Sequence, residues 1–192
     1  MIYCFKFFKC IYFFVLILFL FSCSVSVKTD DNFQVVELPD GSVVYLNTNS
    51  SIQYTKSFND RNLELNGEAF FIVEEKEASF TIITYLGEIV VTGTELNVKV
   101  DDEKEELEVD VAKGNVEVKV KNEKKLLNRG ERITFNRNNN SFKKSKSNQH
   151  YKIWLSEFDI EMKALGKDIK KGSKALEKET KKVGKKLKKL IK

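Results

Sequence analysis

The stretch GEIVVTGTELNVKV, from Gly87 to Val100, decides the fold of this chain. Apolar side chains alternate with polar ones on both sides of Gly93 and Thr94, which is the period-two pattern of half-buried strands. Between the two runs, the glycine lets the backbone bend or bulge without the steric penalty of a Cβ atom. The stretch therefore predicts two strands joined by a sharp change of direction.

The same texture of short alternating runs extends over residues 33–136. The run from Gly67 to Val73 is apolar enough to be buried on both faces. A hairpin around Lys113-Gly114 would place Glu108 opposite Lys119. The residues predicted to turn or bulge are Asp40, Gly41, Gly67, Gly87, Gly93, Gly114 and Gly130. The predicted core contains Phe70, Ile72, Val91, Leu96, Val98, Val109 and Val118.

The amino-terminal residues have the character of a targeting segment. Lys6 and Lys9 precede an uninterrupted apolar run over residues 11–21, which predicts a signal peptide at residues 1–22. Residues 20–23, Leu-Phe-Ser-Cys, resemble the lipobox of bacterial lipoproteins, and this resemblance implies that Cys23 is acylated and anchors the chain in a membrane. Residues 23–32 are then a short tether. The alternative is an uncleaved signal anchor over residues 10–27, which is close to the minimum length for a span.

Five blocks of sequence, in order, resemble the FecR domain. They are LPDGSVVYLNTNSSIQY (38–54), LNGEAFFIV (65–73), FTIITYLGEIVVTGTELNVKV (80–100), VAKGNVEV (111–118) and LNRGERITF (127–135). The resemblance implies an all-β domain at residues 33–136, built as a twisted β-roll or a short β-solenoid or sandwich of small strands, on the outer side of a bacterial membrane.

The full family protein is a regulator of sigma factors that joins a cytoplasmic anti-sigma domain, one membrane span and the FecR domain. Here only nine residues precede the apolar stretch that begins at Cys10, which is too short for an anti-sigma domain. The resemblance therefore carries the fold to this chain, while the sigma-regulating activity has no matching residues to rest on.

The residue types that catalysis and metal binding need are scarce. His150 is the single histidine and falls in an Asn-, Lys- and Ser-rich segment, and Cys23 would be the single cysteine after signal cleavage. These two residues cannot supply a nucleophile with its base, or a zinc site, from the usual side chains. The carboxylates between Asp101 and Glu106 lack the ligand spacing and central glycine of a calcium loop. The sequence predicts a protein that is not an enzyme and holds no cofactor or metal.

Beyond the β-domain, residues 137–152 read as a flexible linker and residues 153–192 as a basic amphipathic helix. Apolar residues from Trp154 onward recur at helical spacing. From Lys163 to the end, thirteen lysines face three acidic residues, a net charge of +10. The lysines expected to meet a membrane or partner are Lys163, Lys167, Lys170, Lys171, Lys174, Lys178, Lys181, Lys182, Lys185, Lys186, Lys188 and Lys189.

Three settings for this helix remain open: a solvated helix resting on its own β-domain, a helix on an anionic lipid surface, and a helix paired with a partner. Nucleic acid is not an expected partner for an exported protein. The favoured function is a non-catalytic lipoprotein of the cell envelope whose FecR-like domain binds another, unidentified envelope protein as a binding or scaffold module. The alternative is a degenerate FecR-type signalling component of sigma-factor regulation, of the iron or TonB-receptor kind, working with separate subunits.

Overall fold

The structure is a computed structural model that describes residues 24–169. It confirms an all-β fold followed by a C-terminal helix. The strands are β1 (Ser24–Lys28), β2 (Gln34–Glu37), β3 (Val43–Leu46), β4 (Ser51–Thr55), β5 (Asn62–Asn66), β6 (Glu68–Ile72), β7 (Phe80–Ile83), β8 (Glu88–Val91), β9 (Glu95–Asp101), β10 (Glu106–Lys113), β11 (Asn115–Val120), β12 (Glu123–Asn128), β13 (Glu131–Asn136) and β14 (Ser141–Lys146), and the helix is α1 (Tyr151–Ile169).

The strands form two seven-stranded sheets that pack as a sandwich. Sheet A has the order β1-β4-β5-β7-β8-β11-β12, and sheet B has the order β14-β13-β10-β9-β6-β3-β2. Neighbouring strands are antiparallel except β5 and β7, which are parallel. The chain changes sheet after every one or two strands, so it coils between the two layers as it builds them.

The stretch around Gly93 is one of these changes of sheet. Strand β8 belongs to sheet A and β9 to sheet B, so the predicted change of direction carries the chain across the sandwich. A Cβ atom at Gly93 would lie 2.6 Å from the Cβ of Glu75. A larger residue at position 93 would therefore force the two segments apart.

The hairpin predicted around Lys113-Gly114 is wrong. Strand β10 lies in sheet B and β11 in sheet A, so Glu108 lies opposite Lys99 and Thr134, not opposite Lys119. The alternating valines of both strands do face the sandwich interior, but they face it from opposite sheets. Alternation identifies the buried face of a strand without identifying the sheet to which it belongs.

Two segments predicted to be irregular contain strands, which corrects the boundaries given above. Within the predicted tether (23–32), β1 pairs with β4, and within the predicted linker (137–152), β14 pairs with β13. The β-structure therefore covers 24–146 rather than 33–136, and α1 begins at Tyr151 rather than at residue 153. Both are edge strands that bury few side chains and are held mainly by backbone pairing, so their composition resembles a linker. The alternative membrane anchor over 10–27 would also have to include residues that form β1.

The interior of the sandwich contains most of the predicted core. Val91, Leu96, Val98, Val109 and Val118 are buried there. Strand β6 is buried on both faces, as predicted, because Ala69 and Phe71 face the interior while Phe70 lies in a second apolar cluster on the outer face of sheet B. Ile72 is an exception: it points to the same outer face but is only half-buried at the margin of that cluster.

Helix α1 creates this second cluster by crossing the outer face of sheet B. Tyr151 packs on Phe70 of β6 with ring centroids 5.2 Å apart. Two turns further on, Phe158 packs on Tyr45 of β3 at 5.7 Å and on Phe33, just before β2, at 5.8 Å. The helix therefore runs from the middle of the sheet toward the β2 edge. Its buried side is Tyr151, Trp154, Leu155 and Phe158.

Candidate functional surfaces

A row of polar and aromatic side chains crosses the outer face of sheet B beneath helix α1. The strand register places Arg132 opposite Asp110, and Asp110 opposite Asn97. The same row continues through Phe70 to Tyr45. Side chains directly opposite on paired strands lie about 4.5–5.5 Å apart at Cβ, so the five residues form a continuous strip.

Glu68 joins this strip to the helix. Its Oε1 accepts hydrogen bonds from Nδ2 of Asn97 (2.9 Å) and from Nε1 of Trp154 (3.0 Å). Its Oε2 accepts a hydrogen bond from Nδ2 of Asn47 (3.0 Å). One carboxylate thus ties together strand β9, helix α1 and the turn after β3. In the sequence, Glu68 is only a polar residue at the start of an apolar run, and no pattern indicates its role.

Asp110 is the acid of the strip. Only 1% of its surface is exposed, and no other acid among the described residues is buried more deeply. Burial raises the pKa of its carboxyl, and the nearby Glu68 carboxylate raises it further, whereas the Ser147 hydroxyl and His150 lower it. Nε of Arg132 lies 3.7 Å from Oδ2, and the same guanidinium also pairs with Glu108.

Three buried oxygens in the strip have no hydrogen-bond partner among the described residues: the Tyr45 hydroxyl, Oδ1 of Asn97 and Oδ1 of Asp110. Burial, with a smaller contribution from Glu95, raises the pKa of Tyr45 to about 12, so its hydroxyl stays protonated at neutral pH. Helix α1 reaches both ends of this set, because Phe158 packs on Tyr45 and Tyr151 lies near Asp110. The strip is therefore a closed layer that positions the helix.

The predicted turn at Asp40-Gly41 carries a second buried ionic contact. Gly41 has a φ of +87°, and Oδ1 of Asp40 accepts a hydrogen bond from the Ser42 backbone N–H (2.9 Å). Oδ2 of Asp40 lies 2.8 Å from Nη2 of Arg61, and both side chains are 5% exposed. Arg61 also donates to the carbonyl oxygens of Glu74 and Ala78. Asp40 is thus both a turn residue and the partner of a buried arginine, which its sequence context does not indicate.

The outer face of sheet A differs from that of sheet B, because among residues 24–169 no helix covers it. One hollow of about 370 Å³ lies on this side over β1, β4 and β5. A second, of about 430 Å³, lies at the end of the sandwich beside the turn between β7 and β8, where Phe135 of β13 and Arg137 also line it. Tyr85 is 48% exposed and lines both hollows. Leu126, on the far strand β12, is 68% exposed.

The remaining predicted residues fall into three groups. Gly67, Gly114 and Gly130 have positive φ values at connections between strands, and Gly87 follows β7, where a Cβ would lie 2.5 Å from the Lys119 carbonyl oxygen. Cys23 and the lysines from Lys170 onward lie outside the described residues. Lys163 and Lys167 lie in α1.

The described part of the chain offers no metal centre and no membrane span. Within residues 24–169, no three His, Cys, Asp or Glu side chains are arranged to hold a metal ion. In the same range, no helix has the length and apolar character needed to cross a bilayer.

Comparison with known proteins supports the fold and the family. The family model described as FecR protein matches residues 25–117. Two crystal structures of candidate anti-sigma factors from Parabacteroides distasonis are similar to the chain, at 30% identity with a TM-score of 0.64 and at 32% identity with a TM-score of 0.65. The matches cover 69% and 68% of this chain, but 63% and 64% of the solved chains.

The chain thus spans less than two thirds of the length of these solved relatives. No curated protein matches it. The family match begins inside β1, eight residues before the predicted domain start at residue 33, in agreement with the strand pairing observed there. The family model and the two solved relatives thus agree that residues 25–117 form a domain of the FecR type.

Proposed function

We propose that this protein is a non-catalytic, FecR-type signalling component of the bacterial cell envelope that acts by binding another envelope protein. The FecR domain at residues 25–117 carries the proposal. Its solved relatives are candidate anti-sigma factors, which are regulatory proteins that work through protein partners.

The uneven covering of the two sheets indicates where a partner would bind. The outer face of sheet B is occupied by helix α1, whereas sheet A keeps Leu126 exposed and Val90 and Glu117 half-buried in a cross-strand row. Apolar surface rimmed by polar residues marks protein interaction sites, and Leu126 and Val90 lie on either side of Glu117 in this row. The partner surface is therefore the half of sheet A formed by β8, β11 and β12.

Site-specific crosslinking in living cells tests this surface. A photo-reactive phenylalanine at position 126 should capture one dominant envelope protein, while the same group at position 153, which is exposed on α1, should not. Leu126→Asp should weaken capture from a crosslinker at the neighbouring position 117. Equal capture from positions 126 and 153, or none from either, would contradict the proposal.

A signalling role and a scaffold role predict different effects when the gene is deleted. A signalling component should change the transcription of a small set of genes, and a variant carrying Leu126→Asp should reproduce the change. A scaffold should only alter where its partner is found. Unchanged transcription with a displaced partner would favour the scaffold.

The proposed location depends on Cys23. Its lipobox-like context supports acylation, so an alkynyl fatty acid fed to cells should label the wild-type protein and not the Cys23→Ser variant. Wild-type protein should sediment with membranes. Equal labelling of the two proteins would reject acylation at this residue.

A further inference from the structure

The hollow over β1, β4 and β5 is lined by polar side chains that are not used within the protein. The strand register aligns Ser26 with Gln53, Gln53 with Glu64, and Glu64 with Ile83. The side chains of Ser26, Gln53, Glu64 and Asn66 are exposed in the hollow, and none makes a hydrogen bond or ion pair with another described residue. Their donors and acceptors are available to a ligand.

The lining excludes several ligand classes. Among residues 24–169, Glu64 is the only charged side chain that lines this hollow, so a free anion would find no cation there from this part of the chain. Strands β4 and β5 are already paired on both sides, so an extended peptide could not add its backbone to them. Most of the lining side chains are polar, which disfavours a purely apolar ligand.

What remains is a ligand that is rich in hydroxyl groups yet has an apolar face. Amide, hydroxyl and carboxylate groups together can both donate and accept hydrogen bonds with sugar hydroxyls. The ring of Tyr85, exposed at the end of the hollow, offers an apolar face with a polar tip. We propose that this hollow binds a saccharide chain, with Tyr85 as the platform on which one sugar unit stacks.

The second hollow extends the site on the other side of Tyr85. Of the residues that the structure describes, Lys119, Lys121 and Arg137 line it together with one acid, Glu88. Lys119 is paired with Glu117 (3.5 Å) and Arg137 with Glu105 (3.2 Å), whereas Lys121 donates a hydrogen bond to the neutral Asn140 amide oxygen (2.6 Å) and keeps its charge for a ligand. A sugar unit carrying an acid group therefore fits this side, and the bound chain is one that combines neutral and acidic sugars.

Calorimetric titration of the full chain tests the site. The detergent is a polyoxyethylene type, because glycoside detergents would compete. The probes are a tetrasaccharide of N-acetylglucosamine and one that alternates N-acetylglucosamine with glucuronic acid. Both should bind, the acidic one more tightly, and Tyr85→Ala should weaken both by about tenfold or more, equivalent to about 1.4 kcal/mol.

Matched variants separate the site from general effects. Leu126→Ala removes another exposed apolar side chain from the same sheet and should leave both affinities unchanged. Lys121→Met should abolish the preference for the acidic probe, and Tyr85→Phe should retain binding of the neutral one. Binding of neither tetrasaccharide at about millimolar concentration, or equal binding by Tyr85→Ala and wild type, would overturn the proposal.

Discussion

Asp110 shows how one buried side chain can make stability depend on pH. Its raised pKa means that the folded protein holds this proton more tightly than the unfolded chain, whose aspartate titrates near pH 4. The contribution of Asp110 to stability is therefore complete below about pH 4 and is lost as pH rises through the raised pKa. Burial is the main cause of this raised pKa; Ser147 and His150 lower it and Glu68 raises it further, while Arg132 and Tyr151 also face the carboxyl from neighbouring elements.

Replacing this carboxyl by an amide should remove the dependence. With Asp110→Asn, the free energy of unfolding should rise relative to wild type as pH increases from about 4 to 8, because the amide never ionises. Urea unfolding of both proteins across this range measures the difference. A difference that is constant with pH would show that Asp110 titrates alike in the folded and unfolded chains.

The Asp40–Arg61 pair should behave as a coupled unit. Removing one partner of a buried ion pair typically costs about 3–5 kcal/mol, because the other charge stays buried without compensation. Arg61→Met and Asp40→Asn should each destabilise the fold, and the double variant should cost clearly less than their sum. A double-mutant cycle in urea decides, with Lys104→Met, from an exposed pair with Asp101, as the control that changes little. Strict additivity would contradict the coupling.

At the scale of elements, the decisive contact is that between helix α1 and sheet B. The Trp154 indole donates to Glu68 and stacks near Phe33, with ring centroids 6.1 Å apart. The residues on both sides of this contact are separated by 86 positions in sequence. Trp154 therefore fixes the helix to β6 through a contact that forms only when the chain is folded.

Trp154→Ala should release the helix while the sandwich stays folded. Loss of a buried Trp side chain costs about 3–5 kcal/mol, and this cost falls on the docked state of α1. Hydrogen exchange should become much faster at the amides of α1, with the amides of β9 unchanged. Ile153→Ala, on the exposed side of the same helix, is the control and should leave exchange in α1 nearly as it was.

The sequence predicts these elements unequally, for physical reasons. The β8–β9 stretch was predictable because burial on one face enforces alternation, and Gly93 marks the place where a side chain has no room. Strands β1 and β14 escaped prediction because edge strands are stabilised by backbone pairing that composition does not record. Trp154 and Phe158 fell on the predicted apolar side of a helix, but helical spacing alone leaves open what covers that side. The role of Glu68 depends on residues far away in sequence.

At the scale of the whole molecule, charge is divided between two parts. The residues from Lys163 onward carry +10 and the rest of the chain −5, since the total is +5. A basic segment of this kind is attracted to anionic headgroups by up to about 1 kcal/mol per lysine near the surface.

The chain without residues 1–23 should therefore cosediment with vesicles that contain anionic lipid and not with neutral ones. Salt should weaken the binding, because the Debye length shortens from about 10 Å at 0.1 M to about 3 Å at 1 M. A matched protein that also lacks residues 170–192 should lose most of the binding. Binding that ignores lipid charge, or that survives this deletion, would favour a helix that only rests on its own β-domain.

The first strand has a consequence for how far the protein can reach. Strand β1 starts at Ser24, which is already paired with Thr55. A lipid on Cys23 would therefore be separated from the folded domain by a single residue, about 3.5 Å of chain. With so short a connection, the domain could change its tilt on the bilayer but could not move away from the membrane surface. The turn that holds Tyr85 lies toward the Lys28 end of sheet A, about 17 Å further along a five-residue strand. Anything that this protein grips would have to come within one domain height of the membrane.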